Sequence, residues 1–146
     1  MQEAKLLIDT KTTQSCDSNG ALRLTYLFIK LLENQFPVES IQQKLKYRYP
    51  GDFATALFVH VNHLNRALKE VTGKTTSQLI AERIIKEACG LLNYTEWNIC
   101  EIGWCLGFEE VPHFINFFKK NRQVAPNAYR KIKKIKNQDI LRLIYA

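Results

Sequence analysis

Residues 53–69, FATALFVHVNHLNRALK, and residues 102–119, IGWCLGFEEVPHFINFFK, carry one pattern twice. Phe53-Ala54 aligns with Ile102-Gly103, Leu57 with Leu106, Leu64 with Phe114, Leu68 with Phe118 and Lys69 with Lys119, the second copy having one extra residue in its turn. Internal repetition fixes architecture before any single motif does. Each copy reads as two short helices across a tight turn. The first helix holds a small residue (Ala54, Gly103) where crossing helices approach closely, and the second holds a large apolar anchor. Both copies are helix-turn-helix patterns.

The flanks agree. Thr75 with Gln78 forms a capping box that opens a helix over about 77–92, with Leu79, Ile80, Ile84, Ala88, Leu91 and Leu92 on one face. Asn98 with Glu101 repeats that signal at the second unit, about 98–121. In the first unit, about 52–72, Asp52 is placed to cap a short helix through Leu57, and a second helix from Val61 to Val71 stops before Gly73. Upstream, Leu24, Leu27, Phe28, Leu31 and Leu32 form the seam of a helix from Ala21 to Phe36, ended by Pro37. Residues 1–20 read as a polar tail or linker. Val38 to Tyr49 predicts a short helix plus loop, closed by the turn dipeptide Pro50-Gly51. Downstream, Pro126 to Arg130 forms a last helical turn. Ile132, Ile135, Ile140, Leu143 and Ile144 then allow a further helix in a basic extension over 132–146. Strict period-2 alternation is hard to find, so the fold class is all-α.

Composition narrows the function. The 146 residues, 46% hydrophobic and 24% charged, suit one folded domain of ordinary size. Twenty-one Lys and Arg against 14 Asp and Glu leave a net charge of +7, which favours a polyanionic partner. Apolar runs are only a few residues long, so no membrane contact is expected. The start, with Glu3 and Asp9 around Leu6, Leu7 and Ile8, lacks the features of a signal peptide, and the expected location is the cytoplasm. Cys16, Cys89, Cys100 and Cys105 show no C-x-x-C spacing and read as reduced packing thiols; with His60-x-x-His63 they match no zinc pattern. No phosphate-cradling Gly-rich loop, G-x-S-x-G elbow or H-E-x-x-H helix occurs. Neither enzyme activity nor a cofactor or metal is expected.

Binding chemistry is plentiful instead. Helical spacing puts Asn62, Asn65, Arg66 and Lys69 on the outer face of the first unit's second helix. Asn suits adenine and Arg suits guanine in a major groove, while Lys69 suits a phosphate. The second unit offers His113 and Asn116 to base edges; Pro112 fits the first helical turn, and Phe114, Phe117 and Phe118 serve packing. Lys119, Lys120, Arg122 and Arg130 belong to a run with no acidic residue between 119 and 136, able to neutralise several phosphates. Helix starts at Thr75-Thr76 and Asn98-Ile99 offer backbone N–H groups to phosphates as well.

These residues resemble the DNA-binding domain of the AraC/XylS family of bacterial transcription regulators over about residues 21–131. The resemblance is most specific at Asn98-Ile99-Cys100-Glu101-Ile102, Leu106-Gly107-Phe108, Phe114 with Phe118-Lys119-Lys120, and Pro126 with Tyr129-Arg130. Leu64, Arg66, Gly73-Lys74-Thr75, Arg83, Ala88 and Leu91-Leu92 extend it through the first half. It implies about seven helices, two helix-turn-helix subdomains joined by a linker helix, and base contacts at Asn62, Asn65 and Arg66. Gln123 stands where the family usually has glycine, Gly103 where it usually has alanine, and Val38 to Gly51 is longer than the usual connection. Family members usually carry a sensor or dimerisation domain before this one. With about 20 residues ahead of the first helix, no small-molecule pocket of that kind is expected here.

The function expected is a sequence-specific regulator of transcription on double-stranded DNA, with two recognition helices in successive major grooves about 34 Å apart. The alternative is a protein-interaction module that retains the fold and binds a protein such as RNA polymerase. Binding that survives conversion of Asn62, Asn65 and Arg66 to Ala would favour the alternative.

Overall fold

Every regular element in the computed structural model, which describes residues 16–145, is helical, as the absence of strand periodicity requires. The order is α1 (Cys16–Glu33), α2 (Pro50–Ala56), α3 (Val61–Thr72), α4 (Thr76–Tyr94), α5 (Ile99–Cys105), α6 (Val111–Arg122) and α7 (Pro126–Tyr145). Two compact units result. The first takes the described residues to Phe36 and Lys46–Glu82; the second takes Pro37–Leu45 and the described residues from Arg83 onward.

In the first unit α1 and α2 both pack on α3. Phe28 and Phe53 meet edge to face at 5.0 Å between ring centres, and Leu64, Leu68 and Ile80 close the core around them. The second unit is built around Ile84, Ala88, Leu92, Ile102 and Leu106, with α5 on α6 and α6 on α7. Its aromatic chain runs from Phe108 to Phe114 to Phe118 to Tyr129 at ring separations of 5.3, 6.2 and 5.4 Å. Gly103 sits tightly against that chain: a Cβ would stand 3.2 Å from Phe114 Cβ and Cγ, so the aromatic side chain would have to give by a few tenths of an ångström.

Both helix-turn-helix junctions use one backbone device. Phe58 N–H donates to Thr55 O (3.2 Å) and Val59 N–H to Ala54 O (3.0 Å); Gly107 N–H donates to Trp104 O (3.0 Å) and Phe108 N–H to Gly103 O (2.9 Å). These paired bonds define a Schellman turn, which needs a left-handed residue just past the helix. Phe58 (φ 57°) and Gly107 (φ 89°) supply it. The exits of α3 and α6 repeat the demand, with Gly73 at φ 76° and Gln123 at φ 68° donating to Lys69 O and Lys119 O. Each unit therefore meets its two left-handed positions with one glycine and one larger residue.

Several boundaries differ from expectation. α1 begins at Cys16 rather than Ala21, so the expected tail keeps only residues outside the described range. No helix forms over 38–49, because its backbone is bonded to distant groups: Val38 N–H donates to Glu87 Oε2 (2.7 Å), Leu45 N–H to Cys105 O (3.0 Å) and Tyr47 N–H to Gln35 Oε1 (2.7 Å). Pro50-Gly51 opens α2 rather than breaking it, since a proline in the first turn needs no donor. Asp52 then works from the third helical position, its Oδ2 accepting from both Arg48 N–H and Tyr49 N–H at 2.9 Å. Finally, the last turn and the terminal helix are one continuous α7.

A left-handed backbone costs a side-chain-bearing residue roughly 1–2 kcal/mol, partly offset by the greater freedom glycine has when unfolded. Gln123→Gly is therefore expected to stabilise the protein by about 1 kcal/mol, and Gly73→Ala to cost about as much although open space surrounds that site. Urea denaturation midpoints of the two variants check both signs.

Candidate nucleic-acid interface

α3 buries Leu64, Ala67 and Leu68 and turns Asn62, Arg66 and Lys69 to solvent. Its entry is held by His60, whose Nδ1 accepts from Asn62 N–H (3.2 Å), and its exit by Gly73. Asn62, Arg66 and Lys69 thus share one rigid, exposed face. Asn65 stands apart. Its Oδ1 accepts from Thr76 N–H (3.1 Å) and Thr76 Oγ1 (3.4 Å), tying α3 to the start of α4. A bidentate bond to adenine needs that same oxygen.

The helix starts expected to hold phosphates are also largely occupied. Thr75 N–H donates to Gln78 Oε1 (2.8 Å), Thr76 is 1% exposed with its N–H on Asn65, and Asn98 N–H donates to Glu101 Oε1 (3.0 Å). The capping boxes that mark these starts in the sequence consume the Thr75 and Asn98 donors, and Asn65 takes that of Thr76. Ile99, the first residue of α5, supplies a first-turn N–H that has no acceptor within its own helix.

In the second unit α6 buries Phe114 and Phe118 and exposes His113, Asn116, Lys119, Lys120 and Arg122. Charge is graded along it. Glu109 and Glu110 precede its first turn, with Glu110 Oε2 3.8 Å from His113 Nε2, whereas its last turn holds Lys119, Lys120 and Arg122. A phosphate is attracted to the basic end and repelled at the acidic start. Arg122 lies 5.6 Å over the Tyr129 ring, which orients the guanidinium by a cation–π contact. Glu101 and Glu109, with Trp104 and Phe108, line a largely apolar hollow of about 340 Å³, a face unsuited to polyanions.

Arg130 is engaged within the fold. Its Nε donates to Leu92 O (3.0 Å) and its Nη2 to Thr95 O (3.3 Å), so the guanidinium caps the C-terminal end of α4. That fork satisfies carbonyls left over at the helix end and complements their negative dipole. The role was hidden in the sequence because Arg130 lies 38 residues beyond Leu92 in a run of free-looking basic side chains. Phe58 is 95% exposed in its left-handed turn, and nothing in its apolar sequence neighbours marks it as exposed.

Of the described cysteine side chains, Cys89, Cys100 and Cys105 are free, and burial with the nearby Glu101 pushes the Cys105 thiol up. No helix among the described residues is long and apolar enough to cross a membrane.

A family model described as a helix-turn-helix domain matches residues 53–132. The chain is 29% identical over 102 residues to the HTH-type transcriptional activator RhaS of Mannheimia succiniciproducens, covering 70% of this chain and 35% of RhaS. It spans between 22% and 35% of the length of the curated relatives it matches. Among solved structures, the C-terminal domain of the two-component response regulator YesN from Fusobacterium nucleatum is 26% identical, with a TM-score of 0.61 over 72% of this chain and 95% of that one. The DNA-binding domain of the global transcriptional factor AdpA, solved in complex with a target DNA, shares the fold at 17% identity, with a TM-score of 0.60 over 77% and 94% of the two chains.

Removing the α4 cap should cost about 1.5–3 kcal/mol, the range for hydrogen bonds to a charged group. Arg130→Ala is expected to lower the denaturation midpoint accordingly, Arg130→Lys to recover little because an ammonium cannot fork, and neither to alter the salt dependence of DNA binding. A salt slope reduced by about one with stability intact would instead make Arg130 a phosphate ligand.

Proposed function

The chain belongs to the AraC/XylS family of helix-turn-helix transcription regulators, and from that membership we propose that it reads specific sequences in double-stranded DNA with α3 and α6 as two recognition helices in successive major grooves. The observation that carries this reading is α3 itself. Leu64, Ala67 and Leu68 are buried on its inner face, while Asn62, Arg66 and Lys69 form a solvent face of one amide and two cations. The AdpA DNA-binding domain, a fold relative, is solved in complex with a target DNA, which supports the class of ligand.

Within this reading Asn62 and Arg66 are the principal base readers, with Asn65 holding the α3–α4 corner on which their placement depends. His113 and Asn116 reach base edges from α6. Lys69, Lys119, Lys120 and Arg122 neutralise phosphates, helped by the Ile99 N–H at the start of α5. The acidic start and basic end of α6 bias its approach, so that the last turn meets the backbone first. Phosphate contacts set register and affinity, and base contacts set sequence preference.

The two classes separate experimentally. Arg66→Ala is expected to lose about 1–3 kcal/mol on a preferred duplex and much less on a scrambled one. Lys119→Ala or Lys120→Ala should weaken both duplexes alike and flatten the salt dependence by about one unit per lost contact. Titrations of each variant at several salt concentrations give the comparison. Equal losses from Arg66→Ala on both duplexes, or a selection from random duplexes that enriches no motif, would remove the sequence-specific reading.

A further inference from the structure

α7 outlasts the core on which it packs. Its first turn buries Pro126 and Tyr129, yet from residue 132 onward Ile132, Ile135, Ile140, Leu143 and Ile144 are all exposed, Leu143 at 83%. Their order is not random. Ile132, Lys136, Asp139 and Leu143 follow one another by four, three and four residues, the spacing that keeps side chains on one seam of a helix, and Ile135 and Ile140 flank that seam.

The seam is self-complementary when reversed. Read forward it is apolar, basic, acidic, apolar; an antiparallel copy sets Ile132 against Leu143 and Lys136 against Asp139, and a two-fold axis makes each pairing occur twice. Asp139 is the sole acidic residue between 111 and 146. In this basic stretch the one carboxylate lies on the apolar seam, opposite a lysine of the reversed copy. A parallel pair would instead oppose like charges. A lipid surface would receive Asp139 in the middle of the inserted face, which a membrane-surface helix avoids.

We propose that residues 132–144 of α7 form a self-association surface on which a second copy of this chain docks antiparallel. Ile132 and Leu143 supply the apolar contact, and the Lys136–Asp139 pairs select orientation more than they add stability. A helix face of this length buries less than a standard protein interface, so the pairing is weak in free solution. Two copies held close together would pair far more completely, as raised effective concentration requires.

Sedimentation velocity on the full chain, from about 10 μM to about 1 mM, tests the proposal over the range where a weak dimer forms. The expected result is a monomer–dimer equilibrium that Lys136→Asp and Asp139→Lys each weaken at least tenfold. An equimolar mixture of the two variants should restore association, because each new charge then faces its opposite on the other copy. Both positions are exposed, and unchanged thermal unfolding will show that the variants fold. A chain that stays monomeric at every concentration, single substitutions without effect, or a mixture that fails to recover overturns the proposal. So does a monomer that sediments with anionic phospholipid vesicles, which would assign the face to lipid.

Discussion

The geometry of this protein depends on how closely the first helix of each helix-turn-helix pair can approach the second. At both junctions a small residue, Ala54 or Gly103, is buried, and its carbonyl accepts from the third residue past the helix end, closing a Schellman turn. The turn fixes the direction in which the next helix leaves, and the small residue removes the Cβ bulk that would hold the helices apart. Everything that α3 or α6 presents to solvent is aimed by that junction. In the second unit the fit is tight enough that Phe114 and Gly103 must be considered together. The price of the shared geometry is backbone strain at Phe58 and Gln123, which the packed surroundings hold in place.

Polar side chains in this fold divide between the frame and the outer face. Asn65, Thr76 and Arg130 have the chemistry of nucleic-acid ligands, yet each completes hydrogen bonding at a helix end within its own unit. Helix termini leave backbone groups without internal partners, and the nearest suitable side chain takes them. Asn62, Arg66, Lys69, Lys119 and Lys120 remain on exposed faces, carried by helices whose opposite sides are anchored by fully buried Leu and Phe residues. Rigidity of the frame is what permits so few side chains to be placed for recognition. Charge adds direction, since α6 passes from Glu109 and Glu110 to Lys119, Lys120 and Arg122 along its length.

Sequence alone determined what local rules and periodicity can encode. The repeat at 53–69 and 102–119, the capping boxes at Thr75/Gln78 and Asn98/Glu101, the exit at Gly73 and the buried stripe of α4 were all legible, because each depends on residues within a few positions of one another. Tertiary structure decided what depends on partners far along the chain. The segment 38–49 has helix-compatible composition, but Glu87, Cys105 and Gln35 take its backbone groups, and no local signal announces bonds across 49, 60 or 12 residues. Arg130 looked like one more cation in a basic run until Leu92 O and Thr95 O came within reach. Asn65 occupied a helical position that points outward by spacing alone, and the start of α4, folded against it, claimed its oxygen. Helical periodicity says which way a side chain points, whereas only the packed chain says which group it meets there.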